Sequence, residues 1–549
     1  MPEIVLSHVT KRWNRFFGVD DLSLHIPDNA FVTLLGPSGC GKTTTLRMIA
    51  GLESPTSGKI TIGGQTVFDS AAGIDIPANK RRVGFLFQNY ALWPNMTVHQ
   101  NIAFGLQNIK EELPVVDVDA QRAAGLVRAL SRPADVKELV LDCHDKKGKL
   151  DEAKARIRLI DTFEISMSSA KELLKLGLHS AADPGAVAAG PLAAARAAVE
   201  AARQRHAAAG ESLNEAFEVT TSAGPATAVR KLSAEEIDLR VRRVSRIVKI
   251  GPFMDRYPSE LSGGQQQRVA IARTLAPGPG VLFMDEPLSN LDAKLRLEMR
   301  SELQRLHVNT GSTFVYVTHD QMEAMTLATR ICLMDNGVLQ QYDPPLDVYN
   351  RPNNLFVADF VGNPSINFVN GRGSQAASGA VELDVFGGAK AVFTPTQPVD
   401  LAAWFAAEAA ADAAAAEAEQ ARLAVKGAVE KENKESNFRY RVARADATEE
   451  VEEAEPTDAD FVLGIRPEAL EIRPSGALPA EIYASMPTGM ETTVKVTVGG
   501  LVLTGVIFGP AVYQIGQKVK VDIDGSGVLL FSRRNGRLIA QGSLAFAAA

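Results

Sequence analysis

Apolar and polar residues alternate over 4–9 and again over 22–26, as they do in half-buried strands. Phe31–Leu35 is instead a continuous apolar run that stops at Gly36-Pro37-Ser38-Gly39. Past that turn the period lengthens, and a helix is predicted over Lys42–Ala50. Much further on, Ser233 stands three residues before Glu236, the spacing of a capping box, and opens a basic helix that runs through Lys249. Residues 281–284 and Thr313–Val317 read as buried strands. Helices alternating with such strands predict a mostly parallel α/β sheet.

Two stretches break the pattern. From about 109 to 232 aromatics are scarce, and 15 of the 30 residues in 181–210 are Ala. Alanine favours helix but offers little to bury, so this stretch is expected to be an insertion, partly helical and mostly solvated. The second, at about 400–455, has 12 Ala among residues 401–420 and reads as low complexity. It interrupts a region of short strand-like pieces at 461–465, 492–498, 501–507, 518–523 and 527–531, which predicts an all-β domain built as a small barrel. The expected organisation is therefore 1–108, the insertion 109–232, a continuation 233–345, and a β domain 346–549 interrupted at about 376–455.

Composition narrows the classes. A chain of 549 residues is long enough for roughly three to four domains. Lys+Arg 58 against Asp+Glu 65 gives a net charge of −7, which argues against nucleic-acid binding as the main role and leaves room for a local basic patch. Cys40, Cys143 and Cys332 are too scattered for a disulfide framework or a metal set and point to a reducing compartment. No apolar leader opens the chain and no run of 18 apolar residues occurs, so any membrane role is expected to run through partners.

The candidate chemistry starts at the first turn. Gly36-Pro37-Ser38-Gly39-Cys40-Gly41-Lys42-Thr43 fits G-x-x-x-x-G-K-[ST] in full, between a predicted strand and a predicted helix. The glycines let backbone N–H groups turn inward around phosphate oxygens, and the helix adds its positive dipole end. Lys42 reaches the β/γ-phosphates, the Thr43 hydroxyl suits Mg²⁺, and Thr44 completes the candidate cradle. A second element, the strand at 281–284, ends in Asp285 and Glu286. Asp285 is a candidate for holding Mg²⁺ through its water shell, and Glu286 for orienting or deprotonating the water that attacks the γ-phosphate.

Leu261-Ser262-Gly263-Gly264-Gln265 precedes that strand and resembles the signature motif of ATP-binding-cassette ATPases. A serine hydroxyl and glycine N–H groups at a helix start make another anion site. The resemblance implies that Ser262, Gly263, Gly264 and Gln265 close over ATP bound to a second copy, in a head-to-tail homodimer with ATP and Mg²⁺ at the interface. It also implies that Gln88 contacts the metal and the attacking water. By the same likeness, residues 90–93 touch a membrane subunit, Ser289-Asn290-Leu291-Asp292 runs across the dimer, and His319 contacts the γ-phosphate. Trp13 is similar to the aromatic that stacks on adenine, with Phe16 or Phe17 as alternatives.

The stretches GPSGCGKTT, DEPLSNLDAKLR, ADFVGNPSINF and GIRPE resemble the ATPase subunits of carbohydrate importers, of the maltose and glycerol-3-phosphate types. That likeness implies a P-loop α/β cassette with a helical subdomain, followed by an oligonucleotide-binding-type barrel. It also implies a place on the cytoplasmic face of the cell membrane. The implied partners are two multi-span permeases and, indirectly, an extracytoplasmic solute-binding protein; nucleic acid is not among them. Importers of polyamines, iron or oxyanions carry similar β domains and stay open as alternatives, as does a non-transport cassette ATPase. The departure from the family is the 109–232 stretch, which falls where the helical subdomain is expected.

Overall fold

The structure, a computed structural model, describes residues 2–108, 110–144, 150–222, 224–424, 429, 431, 440–444, 455–509, 511–525 and 527–546. These form two compact units, Met1–Arg81 with Thr313–Ala549, and Arg82–Ser312.

In the first unit Phe31–Leu35 is buried along its whole length. It pairs in parallel with Thr313–Val317 on one side and Arg330–Asp335 on the other, and Val338–Asp343 adds an antiparallel edge. Strands covered on both faces read as unbroken apolar runs, which is why FVTLL and TFVYV were legible. The helix Lys42–Ala50 leaves this sheet directly. Beside it lies a five-stranded antiparallel sheet that includes Ile4–Trp13 and Phe16–Ile26. Both strands extend past the alternating segments, because register shifts between Leu6 and Val9 and between Val9 and Lys11 break the period while the ladder continues to Trp13.

The C-terminal part closes a six-stranded barrel from Asn367–Gln375, Val381–Val385, Ala389–Pro395, Leu538–Phe546, Val528–Ser532 and Asp460–Ile465. Two of these strands come from within 376–455. A five-stranded sheet from Leu470–Ile472, Lys518–Ile523, Leu478–Pro487, Glu491–Val498 and Leu501–Phe508 shares its core, through Val369, Phe393, Phe461, Val496, Val521 and Leu530 among others. The all-β architecture fits the oligonucleotide-binding-type domain expected. The Ala-rich tract is a helix, Leu401–Ala424. Its anchors sit at its start: Leu401 is buried, the Phe405 ring lies 6.4 Å from that of Phe461, and Glu408 accepts from Arg537 Nη1 at 2.6 Å.

Two of the stretches that carried the resemblance meet here. Arg466 of GIRPE is 5% exposed, and its guanidinium donates to the carbonyls of Ala358 (3.1 Å) and Val361 (2.6 Å) in ADFVG. It also donates to the Tyr349 carbonyl at 2.6 Å and lies 4.0 Å over the Tyr349 ring.

In the second unit Val83–Leu86 and Val281–Asp285 pair in parallel. Helices Val98–Ala103, Ala234–Ile247, Gly263–Leu275 and Ala293–Thr310 accompany them. Ser233 and Glu236 form the capping box that their spacing predicts. The Ala-rich stretch is less solvated than its composition suggests. Leu130, Val136, Val140, Leu159, Ile160, Phe163 and Leu173 are each no more than 5% exposed and belong to one core. These apolar residues come from 118–178, outside the alanine tract. The long helix Pro184–Ala208 buries only Ala188, Ala195 and Ala202, spaced seven apart on one face. The chain enters and leaves by an antiparallel pair, Lys110–Pro114 with Thr227–Lys231, in which Lys110 faces Lys231.

This pairing makes a prediction. Replacing 115–226 by a short glycine-containing turn should leave a simple hairpin and unchanged nucleotide affinity, because loop closure across paired strands costs little, but should lower melting, since the contacts of Ser168 with Glu235 and of the Asp161 carbonyl with Arg246 are lost. Calorimetry and nucleotide titration of the shortened chain test it; loss of folding would make the stretch structurally essential. Among the described residues, no helix is long and apolar enough to cross a membrane.

Candidate nucleotide site

In the first unit the phosphate loop is shaped by glycines at left-handed φ. Gly36, Gly39 and Gly41 have φ of 147°, 81° and 101°. A Cβ at Gly36 would lie 2.2 Å from the Met334 carbonyl oxygen, and one at Gly41 would lie 2.4 Å from the Gly18 carbonyl oxygen. Those two positions are packed against backbone. Gly39, by contrast, has nothing within 4 Å of a built Cβ, so the loop leaves open space on that side. Helix Lys42–Ala50 starts on Gly41 without a side-chain cap, and its positive dipole end favours an anion there. Lys42 is 6% exposed, and its ammonium donates to the carbonyls of Gly36 (2.8 Å) and Pro37 (2.7 Å). Ser38 is exposed, and Thr43 and Thr44 are half-buried in the first helical turn.

Cys40 is buried in the same loop, its Sγ 3.7 Å from Lys42 Nζ. Burial pushes the thiol pKa up, outweighing the downward pull of Lys42. Only the thiolate reacts with alkylating agents. Labelling of Cys40 should therefore be slow at neutral pH, accelerate as pH rises past the ordinary thiol range, and slow again when ATP is added. Mass spectrometry of the labelled loop tests this, and equal labelling with and without ATP would contradict the placement.

Also in this unit, Trp13 and Phe16 are each 46% exposed, with ring centroids 6.5 Å apart and planes 28° apart. Phe17 is 4% exposed, so of the three aromatics it is the one built into the core. His319 is exposed on the turn after Thr313–Val317. Buried Glu323 holds that turn by accepting from Tyr316 OH and Thr318 Oγ1, both at 2.7 Å, while Asp320 caps the helix Gln321–Leu327. Glu323 did not stand out in the sequence, because its partners are hydroxyls with no distinctive spacing.

In the second unit, Gln88 Nε2 donates to Glu286 Oε2 at 3.0 Å. Asp285 ends its strand 7% exposed, with Glu286 half-buried beside it. Glu286 has φ 44°, a left-handed conformation that costs a non-glycine residue roughly 1–3 kcal/mol and is found where function requires it. The Gln88 carbonyl accepts from Asn290 Nδ2 at 3.2 Å, and Ser289 Oγ donates to the Glu286 carbonyl at 2.9 Å. Ser262 caps helix Gly263–Leu275 in a capping box with Gln265. Gly263 is exposed, whereas a Cβ at Gly264 would lie 2.7 Å from Leu295 Cδ2, so a larger residue there requires the leucine side chain to shift. Asp292 uses its carboxylate to cap Ala293–Thr310 through the Leu295 N–H at 3.0 Å. The donors named for a metal, the Thr43 hydroxyl, the Asp285 carboxylate and the Gln88 amide oxygen, are all oxygens, a set that suits Mg²⁺.

A glycine loop between a buried strand and a helix is the arrangement of a phosphate-binding P-loop, and in the second unit a carboxylate pair closes another buried strand. The profile of the ABC transporter family matches residues 19–174 and 183–289. The xylose/arabinose import ATP-binding protein of Haloferax volcanii is 38% identical over 68% of this chain and 65% of its own length. The trehalose/maltose import ATP-binding protein of Thermococcus litoralis is 35% identical over 67% of each chain. A dimeric ATP-binding cassette in a post-hydrolysis state, bound to ADP and phosphate, is 22% identical and covers 62% of this chain and 98% of its own, with a TM-score of 0.35. The chain belongs to the ABC transporter family. It spans slightly less than two thirds of the first of these relatives.

Proposed function

We propose that this chain is the ATP-hydrolysing subunit of an importer, working as a head-to-tail homodimer at the cytoplasmic face of a membrane. The contact between Gln88 and Glu286 carries the reading. An amide that donates to a carboxylate oxygen fixes the direction in which the carboxylate faces, as a general base requires. In this reading Lys42 and the N–H groups of 39–44 bind the β- and γ-phosphates. Thr43, Asp285 and Gln88 would hold Mg²⁺, which would supply positive charge against the phosphates. Trp13 stacks on adenine. Ser262, Gly263, Gly264 and Gln265 of a second copy, with Asp292, complete the binding of the same nucleotide. Glu286 takes the proton of the attacking water, and His319 donates to the γ-phosphate. Hydrolysis replaces one bridging phosphate by two separating anions, and the dimer reopens; residues 90–93 pass that motion to two permeases.

The named relatives import sugars, which supports a carbohydrate or a glycerol-phosphate-like solute delivered by an extracytoplasmic binding protein. Affinity purification from gently solubilised membranes tests the assignment. Recovery of multi-span subunits and a sugar-binding protein is expected; ribosomes, DNA or no membrane protein would overturn it.

A further inference from the structure

The loop that follows Gln88 has an unusual backbone. Tyr90 and Ala91 are both left-handed, with φ of 59° and 45°, and neither is glycine. Such a pair persists only where the surroundings hold it. The Tyr90 ring is buried and its hydroxyl donates to the Pro287 carbonyl at 3.3 Å, one residue past Glu286. Gln267 Nε2 donates to that same carbonyl at 3.1 Å. The carbonyls of Tyr90 and Ala91 each accept from Arg273, through Nη2 and Nη1, both at 2.7 Å. These are short, charge-assisted bonds made by both arms of one planar group. Arg273 lies in the last turn of Gly263–Leu275, the helix that Ser262 caps, about 16 Å along its axis from the signature end.

We propose that Arg273 is a positioning residue for ATP hydrolysis: by clamping the Tyr90 and Ala91 carbonyls it fixes the loop that aims Gln88 at Glu286, and it ties that loop to the signature helix. The inference rests on the role proposed for Gln88 above. A guanidinium fork presents two arms at a set spacing, whereas an ammonium acts from a single point. Without the fork the left-handed pair relaxes and Gln88 loses its aim. Geometry at a reacting centre is steep, so a shift of about 1 Å is enough to cost one to two orders of magnitude in rate.

The test compares full-length Arg273→Met, Arg273→Lys, Gln88→Ala and the Arg273→Met/Gln88→Ala double variant. It measures kcat per folded molecule, KM and calorimetric ATP affinity. Arg273→Met is expected to lose at least about tenfold in kcat while ATP affinity stays within the error of the titration. Arg273→Lys should recover only part of the loss, and the double variant should be no slower than Gln88→Ala, because both changes act through one device. Should Arg273→Met melt early, Arg273→Lys, which keeps the charge, supplies the kcat reading. A lowered melting temperature with unchanged kcat in both Arg273 variants makes the residue merely structural and overturns the inference. Normal turnover in Gln88→Ala overturns the role of Gln88 itself. Loss in Gln88→Ala with none in Arg273→Met leaves that role standing and removes Arg273 from it.

Discussion

Glu286→Gln should bind ATP, assemble as a dimer in its presence and turn over about 10²–10⁴ times more slowly than the parent, the usual range for loss of a general base. The substitution is nearly isosteric. A glutamine at 286 can still accept from Gln88 through its amide oxygen, so the 3.0 Å contact and the left-handed turn have no reason to change. What disappears is the ability to take a proton. Binding and catalysis therefore separate: ATP affinity depends on the phosphate loop and persists, and an ATP-bound dimer accumulates because nothing hydrolyses the nucleotide that holds it. Phosphate release and size-exclusion chromatography with ATP give the two readouts. Turnover near the parental rate would remove Glu286 from the role of base.

The second large effect is expected far from the chemistry. Arg466→Met should destabilise the C-terminal domain by about 3 kcal/mol, since a buried acceptor left without its donor costs about 1–3 kcal/mol and three lose theirs together. Methionine fills most of the volume. It leaves the carbonyls of Tyr349, Ala358 and Val361 buried without their donor, and it removes the cation from the face of Tyr349. Burial already pulls the guanidinium pKa down, against the upward pull of Tyr349, Glu468 and Asp359. Calorimetry should show melting lowered on the order of 10 °C. Arg466→Lys should fall between, since one ammonium cannot reach three carbonyls in the plane of a fork. A shift of less than a few degrees in the methionine variant would mean that other contacts hold GIRPE to ADFVG.

These two sites mark what can be read from a sequence and what cannot. The strand Phe31–Leu35, its glycine turn and the helix Lys42–Ala50 were legible because their period, their punctuation and their chemistry all point the same way. Asp285 and Glu286 were legible for the same reason, as carboxylates at the end of an unbroken apolar strand. Arg273 and Arg466 were not. Each acts on backbone carbonyls, which every residue carries, so nothing in the composition of the partner segment reveals the contact. The core of the 110–231 stretch was obscured for another reason. Its alanine count dominates the average, while its apolar residues are spread across four short helices before the alanine tract begins. The helix Leu401–Ala424 was hidden in the same way, since Leu401, Phe405 and Glu408 do the anchoring and fifteen or so later residues dilute them.

The paired strands Lys110–Pro114 and Thr227–Lys231 set the two ends of a whole subdomain one strand spacing apart, about 5 Å. A junction that narrow works as a socket. Any compact module whose own termini are adjacent, a fluorescent reporter or an epitope carrier, could be plugged in at that point and leave the rest of the chain to fold around the same hairpin. An internal site of this kind offers a way to label or immobilise the protein without touching either terminus, the phosphate loop or the barrel.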